Sequence, residues 1–322
     1  MRTAAHMPQA EHQPVLLDAA LTGLGVRAHG VYVDATFGRG GHSRGVLAQL
    51  GEKGRLIAFD QDPDAEAHAR PLVEGDARFS FVRSSFAELG ERIAALGLAG
   101  RVDGVLFDLG VSSPQFDVAE RGFSFRHAGP LDMRMNPDAG QPLSTWLHAA
   151  SHGEIAAVIK RYGEEPMAGR IAGAIVDARA AGPIQDTGRL AAIVAGAIPA
   201  RVAAGKRIHP ATRTFQAFRM YINDEIGALD RGLESAFDVL APGGRLAVIS
   251  FHSLEDRRVK RFIRAQARPA PPPVPMAPVV EPALSEIGKP VRANAAELAV
   301  NARARSAILR VAERTAAAKV TT

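Results

Sequence analysis

The chain has 322 residues, 47% hydrophobic and 23% charged, which is ordinary globular composition and exceeds one average domain. It has no cysteine, which excludes disulfides and thiolate metal sites, and it has no run of eighteen apolar residues that could cross a membrane as a helix. The net charge of +5 is uneven: residues 1–200 carry 19 Lys and Arg against 23 Asp and Glu, and residues 201–322 carry 20 against 11, so the two parts stand at −4 and +9 and the basic end suits a polyanion.

The first residues, MRTAAHMPQAEHQP, lack the apolar segment of a secretory signal, and a soluble cytoplasmic protein is expected. Val15, Leu16, Ala19, Ala20 and Leu24 follow Pro14 at helical spacing and predict a short helix covering the site described next. That site lies in 31–50, VYVDATFGRGGHSRGVLAQL, where an apolar run stops at Asp34, passes through Gly38, Gly40 and Gly41, and restarts as a helix carrying Val46, Leu47 and Leu50. Glycines there permit positive φ and close backbone approach, and N–H groups at the helix start would face a ligand. The next strand ends at Asp60, twenty-two residues after Gly38, near the spacing at which nucleotide-binding sheets place a carboxylate on a ribose. The order Gly38-Arg39-Gly40-Gly41-His42 departs from the G-x-G-x-x-G dinucleotide fingerprint, so an S-adenosylmethionine (SAM) site is favoured and NAD is the alternative.

Further along, 79–86 alternates like a strand and would put Phe86 at its carboxyl end, where either cofactor contact or core packing would use it. A helix at 89–98 precedes an apolar strand, 105–109, that Asp108 interrupts; a carboxylate there needs a partner or a ligand. Ser112, Ser113, Pro114 and Gln115 follow at the same end and loosely match the loop that holds the target amine in amino-group methyltransferases. From Glu120 the chain turns glycine-, proline- and charge-rich, then predicts helices at 144–150, 155–162, 167–180 and 190–198 with no strand pattern between them. Residues 121–205 therefore read as an inserted helical domain, with 1–120 and 206–322 forming the discontinuous sheet domain.

The apolar residues from Phe215 to Leu240 recur at three- and four-residue steps and predict one long helix, stopped by Pro242, Gly243 and Gly244. A strand follows at 246–251, and then a helix opened by a Ser253–Asp256 capping box. That helix carries Arg257, Arg258, Lys260, Arg261 and Arg264, and is expected to hold RNA phosphates, with Arg213 and Arg219 as the alternative surface. The proline-rich 269–282 reads as a mobile loop, 307–311 as the strand completing the sheet, and the last eight residues as frayed.

The segments DATFGRGGHSR, FDQDP, DLGVSSPQ, ERGFSF, GPLDMRM, YGEE, HPATRTFQAFR, LAPGGRL, SFHSLEDR and NARARSAILR together resemble the RsmH (MraW) family of bacterial 16S ribosomal RNA cytosine-N4 methyltransferases, across 12–315. The resemblance implies an α/β class I SAM-dependent methyltransferase (Rossmann-like) fold with an inserted helical substrate-recognition domain. It implies that Gly40, Gly41 and His42 contact SAM, Asp60 bonds the ribose, Phe86 packs on adenine, and Asp108 and Gln115 complete the pocket. Its substrate is a cytidine of the small-subunit decoding centre, so the expected partner is 16S rRNA or the small ribosomal subunit, with no membrane and no metal; a homodimer is left open. The exocyclic amine of cytosine is a poor nucleophile, and Asp108, or a carbonyl of 109–113, is the expected acceptor of its hydrogen bond. The histidines and carboxylates show no H-E-x-x-H spacing, and no G-x-S-x-G hydrolase elbow is present. A methyltransferase acting on a small molecule or protein is the rival class.

Overall fold

Five short segments alternate their apolar side chains between two faces, as strands buried on both sides require. They are β1 (Val31–Asp34), β2 (Arg55–Asp60), β3 (Phe79–Arg83), β4 (Val102–Asp108) and β5 (Leu240–Ser250). In the computed structural model, which describes residues 14–203, 208–269 and 280–320, these strands run parallel. They join antiparallel β6 (Leu284–Glu286) and β7 (Ile308–Arg314) in one sheet of order β3-β2-β1-β4-β5-β7-β6.

One face carries Val33, Ile57, Phe59, Val105, Phe107 and Val248, packed with Leu89, Ile93, Leu233, Phe237, Val259 and Ile263 from three helices. The other carries Tyr32, Leu56, Ala58, Leu106, Ala247 and Ile249, packed with Leu21, Leu24, Leu47 and Ala69. Helices therefore cover both faces, and strand order reverses between β1 and β4, the switch point at which open α/β sheets bind ligands. The mixed α/β sheet has the Rossmann-like class I architecture that the family resemblance implied.

The chain divides into two compact units, residues 1–109 with 229–322, and residues 110–228. The second begins eleven residues before the 121 expected from sequence and ends in the first turn of the helix Glu225–Val239. It is helical: Leu143–Ala149, His152–Gly163, Ala168–Ala180, Thr187–Ala197 and Thr212–Ile222 surround a core that includes Leu143, Trp146, Ile155, Ile159, Ile171, Leu190 and Phe218. The glycine- and proline-rich approach is not a loose connector. Leu131 and Met133 are buried in that core, and Asn223 ties the segment down, donating to the Met133 carbonyl at 2.8 Å and accepting from the Met135 N–H at 2.7 Å.

Several expectations are corrected. The long helix over 215–240 is two helices, Thr212–Ile222 and Glu225–Val239, broken where Asp224 takes φ 47°, a left-handed conformation that Asp tolerates better than most residues. Strand β3 stops at Arg83, and Phe86 opens a 3₁₀ turn capped by the Ser85 hydroxyl. Residues 242–244 lie within β5, which starts at Leu240, and β7 is not the sheet edge because β6 pairs outside it. The basic helix begins after His252, and Glu255 rather than Asp256 reaches back, accepting from the N–H groups of Phe251 (2.8 Å) and His252 (3.0 Å). Residues 315–320 are anchored, with the Val320 N–H on Gln266 and Lys319 paired to Glu234 and Asp238. Most of the loop expected over 269–282 lies outside the described residues.

Candidate active site

Three neighbouring strands, β2, β1 and β4, each end on an aspartate: Asp60, Asp34 and Asp108. Three carboxylates at adjacent strand ends would repel one another unless each found its own compensation, and the local sequence supplies three different ones.

Asp34 is buried, and its carboxylate accepts from the Ser43 hydroxyl at 2.7 Å and the Thr36 N–H at 3.1 Å. Burial pushes its carboxyl up, against the lowering pull of Ser43. Asp34 thus ties the turn to the helix Gly41–Leu47. Thr36 continues the stitching, its hydroxyl accepting the Asp108 N–H at 2.7 Å.

Asp60 is half-buried, with the Gly38 N–H on Oδ2 (2.8 Å) and the Asp62 N–H on Oδ1 (3.0 Å). Burial raises its carboxyl to about 6, opposed by those two backbone bonds. A carboxylate has about four acceptor positions, so each oxygen keeps one for a ligand hydroxyl. The Asp60 carbonyl in turn accepts the Ser84 N–H at 2.9 Å, which holds the turn bearing Phe86 beside the end of β2. Phe86 is half-buried, its ring edge-on to Phe107 at 5.5 Å and close to Gly232, where a Cβ would lie 2.9 Å from Phe86 Cδ2. Core packing fixes Phe86 on that side and leaves part of it exposed.

Asp108 is the exception among the three. Its Oδ2 lies 3.5 Å from His42 Nδ1, and its buried Oδ1 has no hydrogen-bond partner among the described residues. Burial lifts its carboxyl to about 6; His42 lowers it, while Asp34 and Glu255 push it further up. His42 is buried, with Nε2 3.0 Å from the Val15 carbonyl oxygen. A carbonyl only accepts, so Nε2 carries a hydrogen and Nδ1 is the nitrogen that faces Asp108.

The glycines are required by geometry. Gly40 takes φ 74°, and a Cβ there would sit 2.6 Å from Phe37 Cζ; at Gly41 a Cβ would lie 2.3 Å from Pro14 Cγ. Gln115 belongs to the helical unit, where it is buried and its Oε1 accepts the Ser112 N–H at 2.9 Å. Of the seven residues implied as cofactor contacts, six lie in the sheet unit at or next to these strand ends, and Gln115 lies in the other. Sequence reasoning gave no role to Ser43, Val15 and Glu255. The signal for Ser43 was a hydroxyl one turn into the helix after an acid-terminated strand; nothing in the sequence marks a backbone carbonyl such as that of Val15.

These groups fit SAM. Its ribose hydroxyls match the spare acceptor positions of Asp60, its adenine matches an apolar ring such as Phe86, and the close backbone at Gly40 and Gly41 leaves no room for side chains. The orphaned Oδ1 of Asp108 calls for a donor that the protein itself does not supply. No three His, Asp or Glu side chains converge as a metal site would need among the described residues, and no described helix is long and apolar enough to cross a membrane.

A family model described as the MraW methylase family matches residues 9–315. The ribosomal RNA small subunit methyltransferase H of Halorhodospira halophila (strain DSM 244 / SL1) is 55% identical over 307 residues, 94% of each chain. Among solved structures, an rRNA methylase from Streptococcus thermophilus is 11% identical with a TM-score of 0.43, covering 95% of this chain and 99% of that one. A SAM-dependent O-methyltransferase from Thermotoga maritima is 9% identical with a TM-score of 0.41, covering 96% and 69%. Likenesses that distant carry no argument beside the sequence matches.

Proposed function

The chain belongs to the MraW methylase family and is a SAM-dependent methyltransferase, and from that premise we propose that it methylates the exocyclic N4 amine of a cytidine in 16S ribosomal RNA, at the decoding centre of the small subunit. The relative that is 55% identical is named for small-subunit ribosomal RNA, which supports the substrate class. The motif resemblance supports the choice of base.

The observation that carries the reading is the orphaned Oδ1 of Asp108 at the carboxyl end of β4. When bound, SAM supplies an electrophilic methyl on a sulfonium. The N4 lone pair of cytosine is delocalised into the ring, so positioning has to supply most of the acceleration. A carboxylate accepting an N–H bond from that amine turns the lone pair out of conjugation and toward the methyl. Asp60 holds the ribose, Gly40 and Gly41 admit the cofactor backbone-close, His42 borders it, and Phe86 packs on the adenine. Gln115 completes the pocket from the helical unit, which recognises the RNA. A paired cytosine cannot present its amine to a buried methyl, so the target base must be unstacked.

The test is transfer of tritiated methyl from SAM into purified small subunits or their RNA, followed by mass mapping of the labelled nucleotide. Label on an N4-methylcytidine of the decoding centre is expected. Label on another nucleotide, on a ribosomal protein, or on a small molecule alone would overturn the assignment.

A further inference from the structure

We propose that His42 is a positioning residue for methyl transfer: it carries on Nδ1 the single proton of the His42–Asp108 pair and thereby keeps Asp108 an anion whose Oδ1 can take the proton leaving the target amine. This rests on the reading above, in which Asp108 faces the amine.

The orientation of the ring is set from outside the pair. Val15 offers its carbonyl oxygen to His42 Nε2 at 3.0 Å. The next residue, Leu16, takes φ 53° and ψ 32°, a left-handed conformation costing a bulky residue about 1–2 kcal/mol. Its N–H is held by Glu297 Oε1 at 2.7 Å, from a helix 281 residues away in sequence. The fold thus maintains a strained backbone that aims one carbonyl at one imidazole nitrogen. With Nε2–H spoken for, Nδ1 faces Asp108 Oδ2 at 3.5 Å, with the histidine side chain 6% exposed. A bare nitrogen lone pair opposite a carboxylate, both withdrawn from water, is repulsive, and one proton shared by the pair removes the repulsion.

Where that proton resides follows from the surroundings. The charged groups that act on Asp108 are His42, Asp34 and Glu255. Asp34 is occupied by Ser43 and Thr36, and Glu255 by the N–H groups of residues 251 and 252. With the proton on Nδ1, the imidazolium offsets those two neighbouring acids and Asp108 stays ionised. With the proton on Asp108, Oδ1 would be a weak acceptor and could not act as a base. The step balances. The N4 lone pair forms the N–C bond, the sulfonium–methyl bond breaks with its electron pair going to sulfur, and the N–H pair stays on nitrogen. The amine proton moves to Asp108 Oδ1, and the pair, then doubly protonated, returns one proton to solvent.

Two NMR measurements on the free protein test this with neither SAM nor RNA, so their outcome is independent of the substrate assignment. In ¹⁵N-histidine-labelled native protein at neutral pH, with His42→Gln used to assign the signal, both ring nitrogens of His42 should be protonated; a bare Nδ1 overturns the proposal. In ¹³C-aspartate-labelled protein, Asp108 should titrate near 6 and move up by about one pH unit or more in His42→Gln, as loss of a close opposite charge requires. An unmoved midpoint overturns it as well. In single-turnover assays the acid limb of the methylation rate should move up with Asp108 in His42→Gln. A lower rate with an unmoved acid limb would leave His42 a packing residue.

Discussion

Replacing Asp60 with alanine separates two consequences of one carboxylate that run in opposite directions with pH. The carboxyl is raised by burial from its ordinary 3.8 to about 6, and at about 1.36 kcal/mol per pH unit its ionisation costs the fold roughly 3 kcal/mol. A group raised in the folded state stabilises fully below its unfolded value, and that contribution is lost as pH rises through about 6. Asp60→Ala lacks the group altogether. Its stability deficit relative to the native protein should therefore be small at pH 8 and grow by up to roughly 3 kcal/mol toward pH 4. Part of a deficit remains at every pH, because the N–H groups of Gly38 and Asp62 lose their acceptor. SAM affinity runs the other way. At pH 8 the ionised carboxylate gives the ribose charge-assisted bonds whose loss costs about 2–3 kcal/mol, roughly 30- to 150-fold in Kd. Below pH 6 the native carboxyl is itself protonated and the gap in affinity closes. Urea unfolding and calorimetric titration with SAM across pH 5–8 read both quantities on the same samples. An affinity at pH 8 within about threefold of native would remove Asp60 from the ribose, and a stability deficit that does not change with pH would refute its burial in the ionised form.

The remaining perturbations address the loop, the helical unit and the basic helix. Gly40→Ala places a Cβ at φ 74° against Phe37; it should cost about 1–2 kcal/mol in thermal stability and weaken SAM binding, and a neutral result would mean the loop backbone can move aside. Arg219→Ala leaves buried Glu225 without the guanidinium that meets it at 2.7 and 2.8 Å, and should destabilise the protein by about 3–5 kcal/mol in denaturant titration while Arg219→Lys recovers part. Reversing Lys260 and Arg261, both exposed on the basic helix, to glutamate should lower RNA affinity across unrelated sequences and flatten the salt dependence by about one unit of slope per lost phosphate contact, with SAM affinity unchanged. An unaltered slope in filter binding would assign those charges to solvent alone.

The sequence made the strand ends readable because each strand is an apolar run cut off by an acid, and alternation set which residues face each layer. It could not show that Asp60 is taken up by two backbone N–H groups, since those bonds depend on turn geometry. The break at residues 223 and 224 was invisible for a different reason. Both flanking helices are amphipathic, and their apolar spacing continues across the kink, so periodicity alone joins them. Strand β6 is three residues long, too short to show any alternation. Arg219 read as a surface for RNA because a formal charge says nothing about burial, whereas here it is 5% exposed and committed to Glu225. What sequence reasoning missed in the site was mostly backbone, above all the carbonyl of Val15.

The helical unit is one uninterrupted stretch, residues 110–228, whereas the sheet unit is assembled from both sides of it. Emerging from a ribosome, the chain therefore completes the inner unit while the outer one is still half made. Strand β4, central in the finished sheet and buried on both faces, must wait for β5, which begins 132 residues after Asp108. At about 5–20 residues per second that is a wait of roughly 7–26 s with an apolar strand edge open. Glu297, which holds Leu16 and through it the carbonyl on His42, arrives later still. The cofactor site is thus among the last parts to become competent, and a nascent chain would hold a folded helical unit well before it could bind SAM.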